Sequence, residues 1–272
     1  MILVLSNIGD EVAYAVFRQL QKQAKHVLLV TAVDLVFAPY WRQEISELGV
    51  AVTEIRLQNG VRIESGKVQV AYNRLNYLEA LHFLNATDRA YAEIEFMALY
   101  FSFLKSLGPA LIRPFEPWQL MPGGLSELEL QSTAIAAGVP VMDMHFTTSP
   151  RWMQKRGMIP MSPVRTSKEA FYKKSPNLVW EDKPLRQVAP TSSVIKVTVA
   201  GNRILCDREL PFEPALLRLA HSLGSLYMNA SFGVTDEHSL ALYDLDPAPG
   251  AASPEAVDAI TESVLQHSLV SV

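Results

Sequence analysis

Cysteine is all but missing from this chain: Cys206 is the only one in 272 residues. One thiol can build neither an intramolecular disulfide nor a multi-cysteine zinc site, and it fits a reducing, cytoplasmic compartment. Surplus positive charge is missing too. Lys and Arg number 24 against 28 Asp and Glu, a net charge of -4, so no basic footprint recommends nucleic acid as a partner. The densest basic stretch, Arg151–Lys174, mixes its charges with Trp152, Phe171 and Tyr172. Long uncharged apolar runs are missing as well. The most hydrophobic helical stretch, Ala90–Leu107, carries Glu93, Glu95 and Lys105, which mark a packed helix and no membrane partner. The apolar opening stops at Ser6 with no basic flank, unlike a signal peptide. There is no repeat and no dinucleotide fingerprint, since the loop Ser6–Asp10 holds one glycine. No Ser-His-Asp constellation shows itself, and Cys206 has no His near it in sequence, so nucleophilic catalysis has little support.

What is present is a chain that is 49% hydrophobic, enough for the core of one or two domains. Met1–Ser6, His26–Ala32 and Val50–Leu57 read as buried strands. Helices are expected after Asp10 to about Lys25, with Val12, Val16 and Leu20 on one face, and around Tyr40–Leu48. That order, β-α-β-α-β with short links, predicts a parallel sheet covered by helices. A hairpin of Val61–Glu64 with Lys67–Tyr72 should follow, ending at Arg74. Then come a long helix from Thr87 or Asp88 to Ser106, a strand over Ala110–Arg113, a helix over Ser126–Ala137 and a strand over Val139–Phe146. Residues 1–148 are the expected first domain. Residues 149–190 hold six of the 17 prolines and read as an irregular linker or remnant. Residues 191–272 read as a second domain, β-β-α-β-β-α, with a turn at Gly201-Asn202 and a last helix capped by Ser253.

The chemistry-bearing residues gather at strand ends. Asp244 and Asp246 stand two apart in YDLDPAPG and share a strand face. Like charges so placed are offset by a metal, a basic partner or plain solvent. Lys196 alternates with Ile195 and Val197, so it faces outward or into a cleft. His145 stands two residues from Asp143, as an oriented base or as a satisfied histidine at a sheet end. Arg113, with Pro114, Glu116, Pro117 and Trp118, makes a proline-rich loop at a strand end, where α/β sheets bind ligands; a rigid loop around a packed Trp is the alternative.

The C-terminal run VIKVTVAGNRIL, then LLRLAHSLG, LYMNASFGV and YDLDPAPG, resembles the last part of the ATP-grasp fold. There a strand, a glycine hairpin, a helix and two strands end in an acid and an amide that hold magnesium against ATP phosphates. The N-terminal half, with Arg74 at a strand end and the phrase AIAAGVPVMDMHFTTSP, resembles the leading domain of ATP-grasp peptide maturases, relatives of the ribosomal-protein glutamate ligases and microviridin macrocyclases. The resemblance covers roughly residues 1–148 and 183–267. It implies an ATP-grasp-like α/β architecture: a parallel-sheet N-terminal domain plus an α+β C-terminal layer. It implies Asp244 and Asp246 as metal ligands, with Asn229 or Ser231 near a further acid position. Lys183, in LVWEDKPL, and Lys196 would meet the nucleotide. Arg74, Lys196 and Arg203 would be catalytic; Arg74, Arg113, Trp118 and His145 would contact substrate.

One departure bears on activity. Between Pro150 and Lys196 lie 45 residues with a single glycine, Gly157. A backbone that wraps phosphate needs residues free of side-chain obstruction, so the central lid is expected to be reduced and its glycine-rich flap lost. Two functions follow. One is a degenerate ATP-grasp-like protein of a peptide-modification pathway, binding a peptide or partner enzyme, or performing altered chemistry in the old cleft, without a certain cofactor. The other is an active carboxylate–amine ligase using ATP and Mg²⁺. A homodimer through the apolar stripe of Ala90–Leu107 is open to either.

Overall fold

The computed structural model describes the chain apart from residues 25, 48–50, 79–82, 114–124, 143, 148–161, 164–184, 189–192, 235–238 and 271–272. Its residues fall into two compact units. One gathers Met1–Leu120, Ala200–Arg203 and Ala248–Val272; the other gathers Met121–Val199 and Ile204–Pro247. The last helix, sequentially part of the 191–272 segment, thus clusters with the N-terminal elements.

The first unit begins with β1 (Ile2–Ser6), buried throughout. Asp10 starts α1 (Glu11–Gln23): its Oδ1 accepts from the Ala13 N–H at 3.0 Å, satisfying one orphan donor of the first turn. Val12, Val16 and Leu20 are buried along one stripe, as the spacing predicts. β2 (Val27–Thr31) returns parallel to β1.

The expected helix over Tyr40–Leu48 is not formed. A short helix, α2 (Ala32–Val36), capped reciprocally by Thr31 and Asp34, comes first. It is followed by a strand, β3 (Tyr40–Ile45), antiparallel to β4 (Ala51–Arg56). The physical reason is a period of two, in which Trp41 and Gln43 are shielded while Tyr40, Arg42 and Glu44 are exposed. Trp41 meets Phe103 edge-on at 6.2 Å, and the Arg56 guanidinium stacks over Tyr40 at 5.4 Å.

β4 therefore stays out of the parallel sheet. It pairs with β5 (Arg62–Glu64) through the Asn59-Gly60 turn, where Gly60 has φ 83°. The expected hairpin between the Val61 and Lys67 segments is replaced accordingly. β6 (Val70–Asn73) runs parallel to β1, giving the order β2-β1-β6. The chain thus reverses direction across β1, whose carboxyl end is the switch point of this sheet.

Asn85 caps α3 (Ala86–Leu107), which ends at Gly108 with φ 50°. Leu104, Phe103 and Tyr100 of α3 join Leu3, Leu5, Ile55 and Ile63 in one core shared by both sheets. Where a strand was expected over Ala110–Arg113, Leu111 alone bridges to Ala71. No helix among the described residues is long and apolar enough to cross a membrane.

The second unit opens with α4 (Glu127–Ala137), bounded by a Ser126–Glu129 capping box and by Gly138 in the left-handed region, φ 83°. The strand expected over Val139–Phe146 is divided. Val141 bridges to Leu242, while β7 (Met144–Thr147) joins a small antiparallel sheet. Its other strands are β8 (Ser162–Pro163) and β9 (Leu185–Val188), in the order β7-β9-β8. The described residues of the 149–190 segment thus form strands where irregular chain was expected. Their pairing joins distant stretches, which leaves no local period to read.

The larger sheet of this unit is built from β10 (Val194–Ala200), β11 (Arg203–Leu205), β12 (Tyr227–Val234) and β13 (Leu240–Asp246), in the order β11-β10-β12-β13. Between β11 and β12 lies α5 (Glu213–Ser222), which buries Ala215, Leu216, Leu219 and Ala220. Arg218 on α5 donates to the Ala137 carbonyl at 2.9 and 3.2 Å, closing the C-terminus of α4.

The turn between β10 and β11 belongs to the first unit. Gly201 there has φ 62°, and a Cβ added to it would lie 2.0 Å from the Ser263 Oγ and 2.7 Å from the Ala259 carbonyl of the C-terminal helix. A helix backbone cannot retreat as a side chain can. Gly201→Ala should therefore cost about 2 kcal/mol or more, read as a lowered denaturation midpoint. Adding Ser263→Gly should recover only part of it, because the carbonyl clash persists. Full recovery would show that the helix backbone yields.

Candidate functional site

One face of the larger sheet is packed: Val197 and Val199 of β10, Ala230 and Phe232 of β12, and Leu242 and Leu245 of β13 are buried. The opposite face carries the polar residues at alternating positions. On β10 these are Lys196, exposed, and Thr198, half-buried. On β12 they are Asn229 and Ser231, both half-buried. The Thr198 Oγ1 donates to the Asn229 Oδ1 at 2.8 Å, tying neighbouring strands together on this face.

Asp246 lies directly opposite Asn229, and Asp244 opposite Ser231, in the antiparallel β12–β13 register. A bulge follows at once: Ser231 pairs with Asp244 but Phe232 pairs with Leu242. The extra residue, Tyr243, re-phases β13. Leu242 and Leu245 can then both reach the core while Asp244 and Asp246 keep the open face. The second unit alone therefore brings together Lys196, Asn229, Ser231, Asp244 and Asp246. Thr198 is the member that sequence reasoning missed; its available signal was the alternation Lys196-x-Thr198 in VIKVTVA.

The remaining candidates are placed in other ways. Arg74 is in the first unit, just beyond β6. Its Nε donates to the Asp10 Oδ2 at 2.7 Å and its Nη2 to the Pro249 carbonyl at 2.9 Å. The two charged side chains are 10% and 8% exposed. Burial works to lower the Arg74 pKa, but Tyr72 and Asp10 outweigh it and the net shift is upward. Asn7 joins this cluster, donating through Nδ2 to the Arg74 carbonyl at 3.3 Å and to the Asn76 Oδ1 at 2.9 Å.

Arg113 donates from Nη2 to the Gly201 carbonyl at 3.1 Å and to the Asn202 Oδ1 at 3.2 Å; burial lowers its pKa. Arg203 is exposed and pairs with Glu262. His145 has its backbone in β7, opposite Gln187, and its side chain lies outside the described residues. Trp118, Lys183 and Asp143 lie outside them altogether.

The chemistry of this polar face suits a hard cation. Two carboxylates and an amide are oxygen donors of the kind Mg²⁺ takes. Among the described residues, no three or more His, Cys, Asp or Glu side chains gather as a metal cluster. Asp244, Asp246 and Asn229 alone would fill only part of an octahedral shell. Phosphate oxygens and water would complete it, with Lys196 offsetting their charge. These residues fit Mg²⁺ bound together with a phosphorylated ligand.

No family model matches the sequence, and no curated protein matches it. Solved structures do match the fold. The RiPP-associated ATP-grasp ligase of Chryseobacterium gregarium, solved with ADP and a leader and core peptide, is 13% identical. It aligns over 97% of this chain and 96% of its own, with a TM-score of 0.68. The macrocyclase MdnC of Microcystis aeruginosa MRC, bound with the precursor peptide MdnA, is 15% identical over 98% of this chain and 100% of its own, TM-score 0.67. The ATP-grasp ligase PsnB, with minimal precursor, Mg and ADP, is 14% identical over 98% of each chain, TM-score 0.65. At such identities the likeness is one of fold: this chain has the fold of these ATP-grasp ligases.

Proposed function

We propose that this protein binds a ribosomally made precursor peptide together with Mg²⁺–ATP and activates a carboxylate for attack by an amine. The observation that carries the reading is the polar sheet face shared by Lys196, Asn229, Asp244 and Asp246. Its donor set lacks what a nucleotide phosphate would bring. The precursor peptides bound to MdnC and PsnB, and the ADP and Mg with PsnB, support the same ligand classes here.

In such chemistry a carboxylate oxygen takes the γ-phosphoryl group of ATP and ADP leaves. The amine then attacks the acyl carbon, loses a proton and expels phosphate. This chain's part is to hold and neutralise. Asp244 and Asp246 would ligate the metal, Asn229 would add its amide, and Lys196 would offset phosphate charge.

A second reading, binding without phosphoryl transfer, is favoured by the single glycine between Pro150 and Lys196. Without a flap, water competes with acyl transfer. Calorimetry with Mg²⁺–ATP, followed by an ADP-release assay with a precursor peptide, separates the readings. Peptide-dependent ADP release supports the ligase. Micromolar binding without ADP release supports the second reading. No binding at millimolar Mg²⁺–ATP sinks the ligase and leaves a protein that holds a peptide or partner enzyme without nucleotide.

A second copy of the chain is the partner we infer for the outward side of α3. Tyr91 and Ile94 are each 67% exposed there, beside exposed Ala98, while Ala92, Tyr100, Phe103 and Leu104 are buried on the other side. A helix apolar on both sides has more apolar surface than its own core uses. Tyr91→Glu with Ile94→Glu should turn a dimer into a monomer in sedimentation equilibrium. A wild-type chain that is monomeric at tens of micromolar, on the order of ordinary assay concentrations, ends this inference.

A further inference from the structure

The acid strand ends against a proline. Asp246 is the last residue of β13, and Pro247 follows. Proline has no N–H, so the antiparallel ladder cannot continue from its nitrogen. Its carbonyl still needs a donor if it is to be held. That donor is Ser225, a buried residue in the turn before β12. The Ser225 Oγ lies 2.8 Å from the Pro247 carbonyl and 2.8 Å from the Tyr227 carbonyl. One hydroxyl proton is shared between these acceptors. The chain just beyond Asp246 is thereby tied to the first residue of β12, two residues before Asn229.

We propose that Ser225 is a positioning residue for the metal-binding face, fixing the end of β13 so that Asp246 stays opposite Asn229. The proposal rests on the Mg²⁺–nucleotide reading of that face. The Asp246 main chain is held on one side by the ladder and on the other by the Ser225 hydroxyl. Removal of the hydroxyl takes a donor from the Pro247 carbonyl, one residue past the end of β13. A carboxylate hinged at a frayed strand end samples several directions, and a metal ligand must be held in one.

Mg²⁺–ATP affinity in wild type, Ser225→Ala, Ser225→Thr, Asp246→Ala and the Ser225→Ala/Asp246→Ala pair tests this. Ser225→Ala should weaken Mg²⁺–ATP binding about 10-fold and leave ATP affinity in EDTA unchanged. Ser225→Thr, which keeps the hydroxyl, should restore most of the loss. In the Asp246→Ala background the Ser225→Ala change should have no further effect. Equal losses with and without Mg²⁺, or in both backgrounds, would mean that Ser225 serves general stability, and would overturn the proposal.

If the wild type binds no nucleotide, the functional reading fails, and the positioning claim is then read separately. Ser225→Ala should alter the Asp246 carboxyl ¹³C shift while leaving that of exposed Asp207 unchanged. An unmoved Asp246 signal overturns the proposal.

Discussion

Asp244→Ala combined with Asp246→Ala should weaken Mg²⁺–ATP binding by at least about 100-fold, since each charge-assisted contact contributes about 1.5–3 kcal/mol. The single variant Asp246→Asn should lose roughly one such contact, about 10-fold. Magnesium dependence gives the sharper discrimination. Without a metal, two carboxylates on one face repel a triphosphate, so the double alanine variant should bind ATP in EDTA as well as the wild type or better. Lys196→Ala should differ in EDTA, weakening ATP with and without Mg²⁺, because its ammonium would act on phosphate directly. Raised salt should weaken the contribution of exposed Lys196 more than that of the half-buried acids. Equal loss in the acid variant with Mg²⁺ and with EDTA would mean that the acids maintain the fold of β13 and do not carry a metal. Unchanged Mg²⁺–ATP affinity in the double variant would remove the acids from the site.

The arithmetic of strands explains how far this face was readable. Asp244 and Asp246 share a face because they are two apart, and Lys196 faces away from Val197 for the same reason. Asn229 was reachable through the ordered phrases that resemble the ATP-grasp C-terminal layer. Thr198 and Ser225 were not, because a hydroxyl in or beside a strand has no distinctive pattern; only its partner gives it a role. The bulge at Tyr243 was equally silent, being a property of two strands paired.

The same divide runs through the fold. The Asp10 and Ser253 caps are local, and they were legible. Whether Val61–Glu64 pairs with Val50–Leu57 or with Lys67–Tyr72 is a choice between neighbours, made by which arrangement buries Ile55 and Ile63 with Phe103. Tyr40–Ile45 shows the cost of counting apolar residues without testing both periods. Arg74 was identified by its place at a strand end, while Asp10 and Pro249, its partners, are separated from it by 64 and 175 residues. No spacing rule connects them.

Arg74→Met should destabilise the first unit by about 3–5 kcal/mol, the loss typical when one member of a buried ion pair is removed. The side chains are 10% and 8% exposed, so solvent screens the interaction little. The substitution leaves the buried Asp10 carboxylate without its cation, and it also releases the Pro249 carbonyl. Asp10→Asn should cost less than Asp10→Ala. Asparagine still offers an oxygen to the Ala13 N–H, whereas alanine adds the lost cap, about 1 kcal/mol. The double variant Arg74→Met/Asp10→Asn should be more stable than the sum of its parts predicts, because neither charge is then stranded. The effect should be flat in pH across the neutral and mildly alkaline range from the arginine side. An upward-shifted guanidinium contributes its stability in full below its unfolded pKa and loses it only as pH rises through the folded one, far above neutrality. Urea denaturation of the wild type and these four variants, followed by tryptophan fluorescence, measures all these terms. Single variants within about 1 kcal/mol of wild type would mean that Arg74 behaves as an exposed arginine, and would return it to the list of groups available to a substrate carboxylate.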